Sequence, residues 1–469
     1  MSRGRSAPYV YDKNSIASIY EFALRLKNRS LADVVILPDG ITNVRDRGNL
    51  GNLIETYYFK HKPPNDHHPD FAEVGLELKT SGVVKRKSGE FRAKERLVLT
   101  MIDFSTLAKE EWVTSSFLHK CQKMLILFNK FDKDIPVINR KFVMDPLLFS
   151  IGSLEDAPMH VKGFENIPIG ELETLKRDWL FIRQKVLDGK AHELSEGDTF
   201  FLGACRKGAG GPKEPLRTQP YSELGAKARA FSLKQNYVNK LIERHVNQIH
   251  ESGIFESLPL DVATHETFRR FIGKSIDELA IEFDYFKQSK NQKGYFRGLA
   301  IKILATAGAV TSQLNEADIE MKTIRLKANG SPRESMSFPA FDYMKIGAED
   351  WEDSSFFEKI ERKFLFVVFQ EGNDQIERLV AAEYWNMPYE DRLEAKRVWE
   401  ETRRRVGLDA SNLPTAKESK VAHVRPKAAD GKDKAISPQG QMLIKKCFWL
   451  NQQYIASIMK NIIESNEGN

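Results

Sequence analysis

Three cysteines in 469 residues, none in a CxxC spacing, exclude a disulfide framework and a thiolate zinc site, so Cys121, Cys205 and Cys447 read as reduced thiols. Nowhere do about 18 apolar residues run together, the length a bilayer span needs. The opening MSRGRSAPYVYDKN also lacks the apolar centre of a signal peptide. The expected address is therefore cytoplasmic, with no membrane partner. No long Ser, Gln or Pro tract is present, which confines expected disorder to ends and loops. Strong charge of one sign is missing too: a net +6 is shared by many proteins that never meet nucleic acid, and decides little.

What is present fits a folded chain, with 41% hydrophobic and 29% charged residues. The length exceeds what one hydrophobic core usually organises and predicts two domains of similar size. Lys and Arg gather in KRKSGEFRAKER (85–96), CRKGAGGPKEPLR (205–217) and VRPKAADGKDK (424–434). Basic loops of this kind suit phosphate contacts, although each taken alone is equally well an ordinary solvated loop.

Internal similarity is more informative. GLELKT (75–80) is echoed by DIEMKT (318–323), WVTSSFLHK (112–120) by WEDSSFFEK (351–359), and FSLKQNY (231–237) by FWLNQQY (448–454). A basic stretch, CRKGAGG or VRPKAAD, precedes the last pair in each half. Four echoes in the same order indicate one domain present twice, with expected limits of 1–255 and 256–469.

Each copy reads as an α/β body. Leu50, Leu53, Ile54, Tyr57 and Tyr58 share a helical face in NLGNLIETYYF, with Asn49 or Asp46 as N-cap. In GLELKTS the apolar Leu76 and Leu78 alternate with Glu77 and Lys79, the period of a strand with one polar face. RLVLTMIDF, KMLILFNKF and KFLFVVFQ read as further strands, while YVNKLIERHVNQI and YIASIMKNII read as helices closing each copy. The segment 407–420 reads as a surface insertion.

Hydrolysing a phosphodiester requires a cation that polarises the phosphoryl oxygen and acidifies water, with side chains holding both in line. Pro69-Asp70 followed by Glu77-Leu78-Lys79 supplies two carboxylates and a lysine, the last two acting on one side of a strand. Mg²⁺ prefers oxygen, so Asp70, Glu77 and the Leu78 carbonyl are the expected ligands. Glu55 is a candidate outer acid and Lys120 a second cation. The motif alone is common, and Glu77 with Lys79 also fits an exposed strand pair.

GNLIETYYFKHKPPNDHHPDFAEVGLELKT followed by WVTSSFLHK resembles MutH, the mismatch-repair endonuclease, and resembles the Sau-type GATC restriction endonucleases more closely. KERLVL, GKAHELSEGDT, LRTQPYS, KARAFSLK and ESMSFPAF extend the resemblance over nearly the whole chain. It implies a fold of two tandem MutH-like domains with a mixed sheet flanked by helices. The implied activity is that of a type II enzyme making Mg²⁺-dependent double-strand cuts at GATC, with a DNA methyltransferase as genetic partner. The family's active-site set matches Glu55, Asp70, Glu77, Lys79 and Lys120, and its base-reading loop brings in Lys207. Arg217 and Gln219 are further candidates, since Arg pairs bidentately with guanine and Gln with adenine.

The second copy keeps Glu320 and Lys322 but has Gln313 in place of the aspartate, and its helix GYFRGLAIKILA carries no acid. The expectation is a domain that binds DNA through Arg425 and Lys427 without cutting, as an effector. One cutting site per chain requires two chains to meet on a palindrome, hence a dimer on double-stranded DNA. A strand-nicking repair endonuclease and a non-catalytic DNA-binding regulator are the alternatives.

Overall fold

The computed structural model describes residues 10–38, 49–61, 68–151, 164–208, 215–247, 254–286, 294–307, 317–427, 430 and 432–467. Asp46 and Gln313, and the centre of the 205–217 basic loop, lie outside these.

The first copy begins with helix α1 (Ile16–Leu24), then α2 (Asn49–Leu53), which widens into a single π turn at Ile54–Tyr58. The expected strand follows as β1 (Leu76–Lys85), and the basic stretch after it is a hairpin with β2 (Phe91–Ala93) rather than an open loop. Strands β3 (Leu97–Met101), β4 (Lys123–Lys130), β5 (Leu147–Ser150) and β6 (Phe164–Asn166) come next, with the short helix α3 (Ser116–Cys121) before β4. A long helix, α4 (Ile169–Leu187), leads to β7 (Leu202–Arg206), the hairpin β8 (Arg217–Gln219) and β9 (Ser222–Ala226), β10 (Arg229–Leu233) and helix α5 (Gln235–Asn247). The main sheet has the order β2-β1-β4-β5-β6, mixed in direction, and a second antiparallel sheet has the order β3-β10-β7.

Helices α6 (Leu260–Arg269), α7 (Ile276–Glu282) and α8 (Tyr295–Ala305) then lead into the second copy. It comprises β11 (Ile319–Leu326), β12 (Ser337–Ala340), α9 (Ser355–Ile360), β13 (Lys363–Glu371), β14 (Glu377–Trp385), α10 (Tyr389–Leu408), β15 (Ala422–Pro426), the hairpin β16 (Lys434–Ile436) and β17 (Met442–Ile444), β18 (Lys446–Leu450), and α11 (Gln452–Glu467). Its sheets, β11-β13-β14 and β12-β18-β15, repeat the first copy's β1-β4-β5 and β3-β10-β7.

The repeat extends to register. Leu76 to Val83 pair in parallel with Lys123 to Lys130, and Ile319 to Leu326 pair in parallel with Lys363 to Gln370. The echoed side chains also meet one another in both copies: Trp112 packs on Trp179 at 5.8 Å and Trp351 on Trp399 at 5.6 Å. Phe117 meets Phe231 at 4.8 Å, and Phe356 meets Phe448 at 4.2 Å. Ser115 and Ser354 each accept a 3.1 Å N-cap bond, from Leu118 and Phe357. These residues recur in sequence because they form one packing unit made twice.

The second copy has a core of its own around Phe356, Phe366 and Trp399, but another cluster is shared by the two copies. Leu76, Leu78, Leu125 and Leu127 face α1 and α2 in one cluster, while Met124, Ile126 and Phe128 on the other face join α4, α5 and the second sheet. That second cluster continues without a break through Phe268 and Leu279 into Leu299, Ile303, Ile319, Met321, Leu365 and Val367. Helix α6 packs against both α4 and β14, so the hydrophobic interior crosses the expected boundary at 255. Among the described residues, no helix is long and apolar enough to cross a membrane.

Candidate active site

The site is built at the start of β1. Phe71 and Leu76 exchange backbone bonds of 2.9 and 3.1 Å, closing a turn in which Gly75 takes φ +65°, a conformation a side chain would strain. The turn folds the chain back, so that Asp70 Oδ2 accepts from the Leu78 amide at 2.8 Å while the Asp70 amide donates to Glu77 Oε2 at 3.1 Å. Two residues seven apart in sequence, Asp70 and Glu77, thereby become direct neighbours. Glu77 and Lys79 lie level with Met124 and Ile126 on β4 and share their side of the sheet, and Lys79 Nζ donates to Glu77 Oε1 at 2.6 Å.

Glu55 sits in the π turn of α2, a local widening of the helix common at functional positions. Gly51, one turn earlier, faces the same place: a Cβ there would make ordinary contacts with Thr80 Oγ1 at 3.7 Å and Glu55 Oε1 at 4.0 Å. Lys120, at the end of α3, donates to the His68 carbonyl at 3.0 Å and stands 3.7 Å from Glu77 Oε1. All three carboxyls are largely withdrawn from water, at 7%, 6% and 2% exposure for Glu55, Asp70 and Glu77. Burial, then the charges of Asp70 and Glu77, push Glu55 up to about 7. Burial also raises Glu77, against the pull of Lys79. For Lys79, burial acts downward, but the charge and hydrogen bond of Glu77 together with its other acidic neighbours raise the ammonium.

Three oxygen-donor carboxyls held close together, one of them raised to about 7 chiefly by burial, are the donor chemistry that a hard cation takes. Among the described residues no group of three or more His, Cys, Asp or Glu forms a closed ligand cage, and Glu77 is instead engaged by the Lys79 ammonium. The donor chemistry fits Mg²⁺. Leu78, whose carbonyl is the third expected ligand, lies on β1 opposite Leu125.

Glu55, Leu78 and Lys79 open onto a cleft of about 660 Å³ between the two sheets of the first copy, lined also by Arg96, Glu196, Arg206 and Lys207, with Asp70, Glu77 and Lys120 behind that wall. Lys207 follows β7, and its amide donates to Ala228 at 2.8 Å. The strand that presents it is anchored by Asp178 of α4, whose carboxylate accepts from the amides of Phe200, Phe201 and Leu202 at 2.7, 2.7 and 2.8 Å. Burial pushes Asp178 up to about 6 despite those bonds. This anchor was not apparent in the sequence.

Of the other DNA-reading candidates, Arg217 is exposed on β8. Gln219 is buried and its amide is in use, accepting from the Ala191 amide at 2.7 Å and donating to Leu224 O at 2.7 Å and to His192 at 3.0 Å. It braces the β8-β9 hairpin and has no free edge for a base in this arrangement. In the second copy Arg425 is exposed and stacks on Trp449 at 3.8 Å, and Lys427 donates to Phe338 O at 2.8 Å.

The second copy reaches into the first one's cleft. Glu361 lines it, and Arg206 pairs with Glu352 at 2.8 Å and approaches Glu361 at 3.8 Å while stacking on Phe357. Asn386 donates to Asp198 at 2.8 Å. None of these contacts between copies was legible beforehand.

The family described as MutH, DNA mismatch repair enzyme MutH, matches residues 59–160 and 305–395, one stretch in each copy. The chain is 31% identical over 468 residues to the type II restriction enzyme Sau3AI of Staphylococcus aureus, covering 91% of both proteins. It is 27% identical to the DNA mismatch repair protein MutH of Salmonella typhi and 28% identical to that of Salmonella paratyphi B. Each alignment takes in 51% of this chain and 95% of the relative.

Proposed function

The chain belongs to the MutH-like type II restriction endonucleases, and on that premise we propose that the Asp70 cleft makes Mg²⁺-dependent double-strand cuts at GATC. It is a site-specific deoxyribonuclease. The observation that carries the finer reading is the cluster in which Asp70, Glu77, Lys79 and Lys120 contact one another and act electrostatically on Glu55, with Glu55 and Lys79 lining the cleft.

Asp70, Glu77 and the Leu78 carbonyl would hold Mg²⁺, and Glu55 would close the site as the outer acid. The bound ion supplies Lewis acidity for the phosphoryl oxygen and for water. Lys79 holds its ammonium at the cleft wall, where it orients the attacking water and offsets charge growing on the phosphate. Lys120, tied to His68 O, adds a second cation along the same path. Lys207, which lines the cleft, and Arg217, exposed on the β8-β9 hairpin that Gln219 braces, would contact the DNA.

In this reading the second copy binds DNA through Arg425 and Lys427 and acts as an effector that does not cut. Two chains meet on the palindrome as a dimer, in the cytoplasm, with a cognate methyltransferase protecting the host. A strand-nicking repair role is disfavoured because the MutH relatives align with only 51% of this chain. The test is plasmid carrying GATC sites, incubated with Mg²⁺ and either the parent protein or Asp70→Ala. Fragments ending at GATC that vanish with the variant support the proposal. Nicks alone, or cutting that survives Asp70→Ala, overturn it.

A further inference from the structure

The counterpart of the active-site cleft in the second copy is a cavity of about 760 Å³, the size that admits a nucleotide-scale ligand. One wall is β11, with Glu320 and Lys322, and α8, which presents Arg297. The other wall comes from the first copy: the β1-β2 hairpin with Arg86 and Arg92, and α5 with Asn236 and Glu243. Lys359, the echo of Lys120, and Arg362 complete it.

The three acids in this cavity are all engaged. Glu320 pairs with Lys322 at 2.6 Å, Asp318 with Arg362 at 3.5 Å and with Asn236 at 3.3 Å, and Glu243 with Arg92 at 3.3 Å. Lys240, at the same wall, is held by Glu171 at 3.1 Å. Arg86, Arg297 and Lys359 are left with no side-chain hydrogen bond or ion pair among the described residues. Glu320 is pushed up by burial, yet the hydrogen bond and charge of Lys322, with Lys359 and Arg362, hold it below the usual carboxylate range. The first copy's cleft gathers carboxylates that call for a dissociable cation. Here α8 supplies an arginine and no acid, so the positive charge is covalently fixed.

We propose that this cavity is a metal-independent phosphate site, in which Arg297, Lys359 and Arg86 hold a multiply charged phosphate between the two copies. The ligand is either a strand-terminal phosphate or a free oligophosphate, which share the chemistry the guanidinium forks and the ammonium recognise. The inference rests on reading the second copy as a unit that does not cut.

Titration calorimetry of the whole protein with inorganic tripolyphosphate, in EDTA and at low salt, tests it. The parent protein and Asp70→Ala are expected to bind equally, and Arg297→Ser combined with Lys359→Ser to bind at least about tenfold more weakly, with an unchanged melting temperature. Binding should also weaken as salt is raised. A 5′-phosphorylated oligonucleotide lacking GATC that displaces the probe, where its unphosphorylated twin does not, identifies a strand end; displacement by neither identifies a free oligophosphate. Unaltered binding by the double variant, or no binding by the parent protein, overturns the proposal. Because the titration contains neither metal nor a cleavage site, its failure is distinguishable from plasmid cutting that survives Asp70→Ala, which would overturn the reading beneath it.

Discussion

Replacing Asp70 by Asn should strengthen the metal-free fold while abolishing its chemistry. The amide keeps an oxygen for the Leu78 N–H, now accepted at 2.8 Å, so the turn closed by Gly75 need not move. What disappears is one of three closely spaced carboxyls, where the Asp70 charge, after burial, helps raise Glu55 to about 7. Like charges a few ångströms apart at a protein surface cost about 2–4 kcal/mol before screening, and water in the open cleft reduces this to about 1 kcal/mol. For a protein of this size that corresponds to a rise of about 1–3 °C in melting temperature at pH 8 in EDTA. Mg²⁺ should reverse the order, because a ligand that binds only the folded protein stabilises it by RT ln(1 + [L]/Kd), about 1.4 kcal/mol at ten times Kd. The parent protein gains this and the variant does not. Cleavage should fall at least about a thousandfold, roughly 4 kcal/mol of barrier. Thermal denaturation in EDTA and in Mg²⁺, beside plasmid cleavage, measures all three. A variant that melts lower than the parent in EDTA, or that gains equally from Mg²⁺, refutes the reasoning.

Glu55 has a folded value raised from 4.5 to about 7, so its contribution to stability is present below about 4.5 and is lost as pH rises through about 7. In EDTA, Glu55→Gln should therefore gain on the parent between pH 5 and pH 8 by about 1–2 kcal/mol, after allowing for screening in the open cleft; denaturant titrations at the two values would show a constant difference if this is wrong. Asp178→Asn should destabilise by about 2–4 kcal/mol, since three strand amides share that carboxylate. Its cleavage should drop as Lys207 loosens, and urea titration with residual activity checks both. Gln219→Ala should cost about 1–3 kcal/mol through the unpaired Ala191 amide. The recognised sequence should stay the same, and a changed fragment pattern on a defined plasmid would return Gln219 to the base-reading set.

The duplication was legible because its echoes are contacts. Trp112 on Trp179, Phe117 on Phe231 and the Ser115 cap have their equivalents in the second copy, and a packing unit made twice must repeat its residues. The closeness of Glu77 and Lys79 was legible for a similar reason, since strand alternation carries them together. The tight turn that brings Asp70 to them depends on one glycine at φ +65°, which spacing alone does not reveal. The two longest helices, α4 and α10, went unread because their charged residues blur the apolar stripe. Pro168 and Pro388 before acidic first turns, with Glu171 in one and Glu390 and Asp391 in the other, were the available signal. Gln219 shows the opposite failure. Its partner amide is 28 residues away, and a glutamine that braces a hairpin spells the same as one that reads adenine.

The fused interior bears on how such a chain evolves. If the second copy does not cut, nothing selects for catalytic residues in it, and such a duplicate is ordinarily free to erode. Here Ile319, Met321, Leu365 and Val367 of the second copy lie in the same apolar cluster as Ile126, Leu175 and Trp179 of the first. A descendant that discarded its later half would bare that surface to water and lose its earlier half to aggregation. Packing thus ties the two copies together whatever the second copy binds, and leaves the residues lining its cavity free to differ from those of the first while the scaffold stays fixed.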